Sequence, residues 1–145
     1  MQFHFPLDRL LRLRRSLEKH EEQRLYSLAS AVNRIRNEIE EVEQARLCTQ
    51  RLLVEEGASG ASLQYAAHCA AVSAANLDRL CAQLAVAEKA RLEQLSAYRI
   101  ARQRREILEG LREREEKRHE LELARKQREQ IDEDFAMRRY LSTVD

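Results

Sequence analysis

The sequence contains few of the residues that turn a chain. Its 145 residues include one proline, Pro6, and three glycines, Gly57, Gly60 and Gly110. Two of these glycines and two serines fall in one short stretch, EEGASGAS at residues 55–62. A compact globular domain needs several turns, which use clusters of Gly, Pro, Asn and Ser. This scarcity argues against an ordinary globular fold and favours long uninterrupted elements.

Aromatic residues, long apolar runs and an excess of one charge are also missing. Aromatics make up 5% of the chain, there is no tryptophan, and 26 basic residues balance 25 acidic ones to a net charge of +1. Balanced charge gives no case for a nucleic-acid partner. The apolar runs are a few residues long, far short of the roughly 20 that cross a bilayer. We therefore expect neither nucleic-acid binding nor a direct membrane span.

What the sequence does contain is the composition of long helices, with Ala, Leu, Glu, Arg and Gln dominant and 35% charged residues. Apolar residues from Leu25 to Val42 recur at alternating steps of three and four, as at the a and d positions of a coiled coil. Upstream, the step of eight from Leu17 to Leu25 indicates a stutter, and we expect Leu7, Leu10 and Leu17 to continue the seam. The predicted regular part of this seam is Leu25, Leu28, Val32, Ile35, Ile39 and Val42.

One break between two helical stretches predicts an antiparallel pair, because a short loop makes consecutive helices neighbours. The predicted fold is all-α, a long two-helix antiparallel coiled-coil hairpin with unequal arms that forms a single domain over residues 1–145. Arm one covers about 7–55, the turn about 56–62 and arm two about 63–140, which overhangs its partner beyond about 115. The apolar positions assigned to arm two are Leu63, Leu77, Leu80, Leu84, Leu92, Leu95, Ile107, Leu108 and Leu111.

No signature of catalysis or of metal binding accompanies this pattern. A glycine-rich phosphate loop, an HExxH pair and a nucleophile elbow are all lacking, and a charged hairpin offers no concave pocket. The odd number of cysteines in a chain without a secretory signal suggests reduced thiols. We expect Cys48 and Cys69 to be small buried seam residues, and Cys81 has no assigned role. The prediction is a protein that is not an enzyme, with no cofactor and no metal.

The two ends of the sequence carry a family resemblance. The opening FHFPLDRLLRLRRSLEKHEEQRL at residues 3–25 has an aromatic-x-aromatic start and a leucine-rich turn bearing arginines, and then becomes rich in glutamate. The segment DEDFAMRR at residues 132–139 is the second match. Both resemble the flagellar type III export protein family FliJ, whose members are coiled-coil stalks of the export ATPase.

The resemblance implies a non-enzymatic, monomeric component of the flagellar export apparatus, located in the cytoplasm at the inner-membrane export machinery. It implies that the paired termini insert into the hexameric export ATPase ring, and that the protein also contacts the cytoplasmic domain of the export gate and export chaperones. Carried onto this sequence, the ring contacts are Phe3, Phe5, Leu11, Arg14, Arg15, Phe135, Arg138 and Arg139. Near the turn, gate contacts fall on Leu47, Leu63, Tyr65 and His68, although this zone is rich in alanine where family members often carry aromatics.

The spacing of the apolar residues gives separate support for a contact surface at the N-terminus. If Leu7, Leu10 and Leu17 fill the seam, then Phe3, Phe5, Leu11 and Leu13 remain as exposed apolar groups, which mark a contact surface. Three other interpretations stay open at this point. The first is a generic coiled-coil tether that oligomerises through its overhanging arm, the second is a basic helical polyanion binder, and the third is the related stalk of an injectisome export machine.

Overall fold

The computed structural model contains two long α-helices, α1 (Asp8–Glu56) and α2 (Gly60–Val144). It describes residues 2–57 and 59–144, and at Glu56 the backbone alone. No strand occurs within these described residues. The helices have 49 and 85 residues, and pairs such as Arg36 with Glu88 join them in antiparallel order. The predicted all-α, two-helix antiparallel hairpin with unequal arms is confirmed.

A tight turn starts α1. The Asp8 N–H donates to the carbonyl of Phe5 at 3.1 Å, and the Leu11 N–H donates to the carbonyl of Leu7 at 2.9 Å. Pro6 lies inside this turn, where its fixed φ is suitable and its missing N–H loses no helical hydrogen bond. Asp8 places a carboxylate in the first helical turn, where the helix dipole favours negative charge.

Glycine and serine make the connection between the helices. Gly57 follows the last residue of α1 with φ at +67°, the left-handed conformation that commonly ends a helix and that glycine adopts without steric penalty. Ser59 caps α2, since its Oγ accepts from the N–H of Ser62 at 3.3 Å. The Ser59 carbonyl also accepts from the Leu63 N–H at 3.0 Å. Ala58, within the predicted turn, lies outside the described residues.

The chain divides into two compact units. The loop unit consists of Lys19–Ile100, and the terminal unit consists of Met1–Glu18 together with Ala101–Asp145. In the loop unit Val32 and Leu80 are buried, and Ile35, Ile39 and Val42 are half-buried on the same face of α1. This unit therefore follows the apolar spacing of the sequence, although on α2 Leu63 and Leu92 are exposed and do not join the packed face.

The buried face at the start of α1 differs from the one expected. Leu11 is fully buried and Arg14 and Glu18 are half-buried, whereas Leu10 and Leu17 are exposed. Steps of three and four thus run from Leu11 through Arg14 and Glu18 without a stutter. The expectation of a stutter was wrong because charged side chains occupy seam positions in this part of the helix.

Candidate functional site: the packed and exposed faces of the termini

The N-terminal aromatic residues of the terminal unit are not the exposed tip that the sequence suggested. Phe5 and Leu11 are buried and Phe3 is half-buried. The Phe3 ring lies 5.7 Å from the ring of His119 on α2, tilted by 44°. The exposure expected for Phe5 and Leu11 is therefore corrected, because these side chains take the seam positions that had been given to Leu7 and Leu10.

Four charged side chains join the two segments of the terminal unit, and we call them the charged layer: Arg15, Glu18, Arg105 and Glu109. The Arg105 guanidinium donates from Nε and Nη2 to the two carboxylate oxygens of Glu18. Its Nη1 donates to Glu109 Oε2 at 2.5 Å, and Glu109 Oε1 accepts from Arg15 Nε at 3.1 Å. The Glu18 and Arg105 side chains are only 15% and 21% exposed. The bidentate pair is therefore the most sheltered ion pair of the layer.

The electrostatics of the layer follow from these hydrogen bonds. The hydrogen bond to Glu18 raises the pKa of Arg105, against the opposing effect of burial. Burial works to raise the pKa of Glu109, but hydrogen bonds from Arg105 and Arg15 outweigh it and the pKa is lowered. At the helix start, the hydrogen bond from Arg12 lowers the pKa of Asp8. All three groups are therefore charged at neutral pH.

The C-terminal end of α2 has the opposite character. Every described side chain from 124 to 144 is exposed, and Phe135 keeps 66% of its surface in solvent. Arg138 and Arg139 are exposed next to it. We call residues 124–144 the C-terminal arm. Its exposed large apolar side chains are Ile131, Phe135, Met137, Tyr140, Leu141 and Val144.

The residues expected near the turn lie at the surface of the loop unit. Leu47, Leu63, Tyr65 and His68 are all exposed. The nearby Cys69 side chain, one turn further along α2, raises the pKa of the Tyr65 hydroxyl. These side chains come from both helices of the loop unit and are available to a partner.

A small cleft separates the two helices near the turn. It has a volume of about 100 Å³ and is lined mainly by small side chains, among them Ala45, Thr49, Cys69 and Ser73. Cys69 is half-buried there, whereas Cys48 is exposed. The expectation that Cys48 is a buried seam residue was wrong, because its neighbour Thr49 takes the position that lines the cleft.

The charged layer is the feature that the sequence reasoning missed. Glu18 and Arg105 are 87 positions apart, so neither looks different from the other exposed charges of a coiled coil. The available signal was the spacing itself. Arg14, Glu18 and Glu21 continue the steps of three and four from Leu11 to Leu25 once charged residues are allowed at seam positions.

Two kinds of feature, a metal-binding cluster and a membrane-spanning helix, are absent from the described part of the chain. Within residues 2–57 and 59–144, no three His, Cys, Asp or Glu side chains are grouped so as to hold a metal ion. Over the same residues, neither helix contains a stretch long and apolar enough to span a membrane. The surfaces that remain as candidates are the C-terminal arm, the charged layer with the segments that it joins, and the exposed residues near the turn.

Comparisons with known proteins give a family and no individual relative. No curated protein matches the chain, and no solved structure matches it. The family model described as "Flagellar FliJ protein" matches residues 3–144, nearly the whole chain. This family consists of non-catalytic components of the flagellar export apparatus. The chain belongs to the FliJ family of flagellar export proteins.

Proposed function

We propose that this protein is the stalk of the flagellar export ATPase. In this role it inserts its paired termini into the hexameric ATPase ring, promotes assembly and activity of the ring, and links the ring to the export gate and to export chaperones. It acts as a cytoplasmic monomer at the inner-membrane export apparatus. The observation that carries the proposal is the exposed apolar and basic surface of the C-terminal arm, in a chain that belongs to the FliJ family.

The composition of the C-terminal arm favours a partner. Isolated helices are marginal in water, and most helical stability in proteins comes from packing of an apolar face. Six large apolar side chains of this arm are exposed, and such groups commonly mark a contact surface when they lie together. Arg138 and Arg139 lie beside Phe135 and add charge that can orient the arm in an acidic or polar ring lining. Phe135 is the expected anchor because aromatic residues dominate binding energy at interfaces.

The N-terminal residues take two roles in this proposal. Phe5 and Leu11 are buried in the terminal unit and hold the start of α1 against α2. Contacts with the ring then fall to side chains that keep exposed surface, among them Phe3, Arg14 and Arg15. Leu13, which is also exposed, joins them as an apolar contact.

The loop unit provides the surface for the other partners. Leu47, Leu63, Tyr65 and His68 are exposed on two neighbouring helices. An apolar surface contributed by two helices suits the cytoplasmic domain of the gate or a chaperone helix, since a helix can lay its apolar face along a groove.

Site-specific photocrosslinking tests the ring assignment. A photoreactive amino acid replaces Phe135 in the C-terminal arm or, as the control, Tyr26, which is 77% exposed in the loop unit. Mixed with the hexameric export ATPase, the protein substituted at 135 should crosslink to ATPase subunits and the protein substituted at 26 should not. Equal crosslinking at both positions, or none at 135, would refute insertion of the C-terminal arm.

Self-association is the second candidate use of the C-terminal arm, and its exposed apolar side chains favour it. A tether that pairs through the arm would be a dimer or larger by light scattering, and Phe135→Ser would make it a monomer. A stalk that inserts a single copy into a ring should be monomeric both with Phe135 and with the Phe135→Ser substitution.

A further inference from the structure

We propose that the start of α1 is a releasable arm, held against α2 by the charged layer and able to separate from it and unwind while the loop unit remains folded. The releasable segment consists of residues 2–18. Its release would uncover Phe5 and Leu11 together with the face of α2 that they cover. This inference concerns a conformational change within the chain, and it stands whether or not the protein enters an ATPase ring.

Few apolar side chains hold the releasable segment against α2, a contact that we call docking. Among the described residues of the terminal unit, Phe5 and Leu11 are the only buried apolar side chains. The next seam positions along α1 are Arg14 and Glu18, where the regular part of the seam has leucine, isoleucine or valine. The described part of the loop unit also has two buried apolar side chains, Val32 and Leu80, but apolar residues such as Ile35 fill its neighbouring seam positions. A segment with fewer apolar contacts opens at lower free energy.

Ion pairs replace the missing apolar contacts. Arg105 bridges Glu18 and Glu109, and Arg15 extends the layer to the surface. The Arg15 and Glu109 side chains are 48% and 30% exposed, so dissolved salt can screen the outer half of the layer. The layer therefore gives docking a dependence on ionic strength that an apolar seam lacks.

Two polar atoms make the docked state less favourable. Arg112 Nε and His119 Nε2 are buried without a hydrogen-bond partner, and both lie on the part of α2 that belongs to the terminal unit. A buried polar atom without a partner loses its hydrogen bonds to water and destabilises the state that buries it. The Phe3 ring lies against the His119 ring, so release of the segment would let water reach His119. Docking is thus stabilised by ion pairs and opposed by desolvation, a balance that suits a reversible contact.

Hydrogen exchange read at single amides tests the proposal on the full-length protein. The helix-bonded amides of residues 12–18 report the releasable segment, and those of residues 28–42 report the loop unit. The experiment compares 0.1 M with 1 M NaCl, between which the Debye length falls from about 10 Å to about 3 Å. We expect exchange at 12–18 to rise severalfold in high salt, while exchange at 28–42 stays within a factor of about two because apolar packing is not screened.

A matched pair of variants distinguishes an effect of the charged layer from a general effect of removing a paired carboxylate. Glu18→Gln removes the carboxylate that Arg105 clamps, and Glu88→Gln removes the carboxylate paired with Arg36 in the loop unit, a pair that is more exposed. Glu18→Gln should accelerate exchange at 12–18 and reduce its dependence on salt, and Glu88→Gln should leave that segment unchanged.

Two results would overturn the proposal. One is exchange at 12–18 that responds neither to salt nor to Glu18→Gln. The other is acceleration of both segments by the same factor, which would mean that the protein opens as one unit. The salt series on the unaltered protein decides between these outcomes even if Glu18→Gln does not fold.

Discussion

Replacement of Leu80 by alanine tests whether a single buried face holds the loop unit together. Leu80 is 2% exposed, so truncation removes three carbon atoms that are shielded from water. At about 0.8 kcal/mol for each buried methylene, the lost transfer free energy is roughly 2 kcal/mol. Buried leucine-to-alanine changes cost about 2–5 kcal/mol once the cavity is included. Two packed helices can move together to fill part of the space, so we expect a loss of about 2–3 kcal/mol.

The matched control is the same substitution at Leu92, twelve residues further along α2 and 59% exposed. Leu92→Ala should lower the free energy of unfolding by less than about 1 kcal/mol, because most of the side chain is already in water. Urea unfolding followed by far-UV circular dichroism measures both variants against the unaltered protein. Equal losses, or a larger loss at Leu92, would refute the assignment of the buried face and return Leu92 to the seam that the sequence had suggested.

Three further predictions concern the backbone and the charged layer. Gly57→Ala should destabilise the protein by about 1–2 kcal/mol in urea unfolding, because φ at +67° is strained for a residue with a Cβ; no loss would contradict the left-handed helix end. Gly110→Ala should stabilise it by about 0.5–1 kcal/mol, because nothing lies within 4 Å of the added Cβ and alanine favours a helix interior; destabilisation would reveal a close contact there. The pKa of Glu109 is lowered from its usual 4.5, so the unfolded chain binds its proton more readily and stability should fall as the pH drops below about 4.5. Glu109→Gln should flatten that part of a thermal-unfolding pH series, and an unchanged slope would count against the pairing.

Several features of the fold could be predicted from the sequence because they depend on local rules. The shortage of glycine and proline outside residues 55–62 left room for one turn, and Gly57 and Ser59 form that turn. The three-and-four spacing from Leu25 to Val42 marked the face that packs in the loop unit. Both signals come from neighbouring residues and need no knowledge of the partner helix.

The packing of the N-terminal end could not be predicted in the same way. Leu10 and Leu17 are as apolar as Leu11, and the choice between them depends on which face meets α2. The spacing from Leu11 marks Glu18 as a seam position only if charged residues are allowed there, and the partner that makes this acceptable, Arg105, lies 87 positions away. The sequence pattern therefore placed buried residues at the surface, Phe5 and Leu11 among them.

For the candidate contact residues, the sequence could predict exposure to solvent but not the contacts that they make. Exposure of Phe135, Arg138 and Arg139 follows from the surplus length of α2, which a sequence can indicate. The roles of these residues toward an ATPase ring come from the family resemblance and stay predictions, because a contact depends on the surface of the partner.

Stimulation of the export ATPase tests the central proposal most directly. The rate of ATP hydrolysis by the same organism's flagellar export ATPase would be measured across a concentration series of this protein, with Phe135→Ser and Tyr26→Ser as the arm variant and its control. The proposal predicts a rise that saturates near one copy per hexamer with the unaltered protein and with Tyr26→Ser, and a much weaker rise with Phe135→Ser. No change in rate with an ATPase that is shown to form hexamers, or equal stimulation by all three proteins, would contradict it.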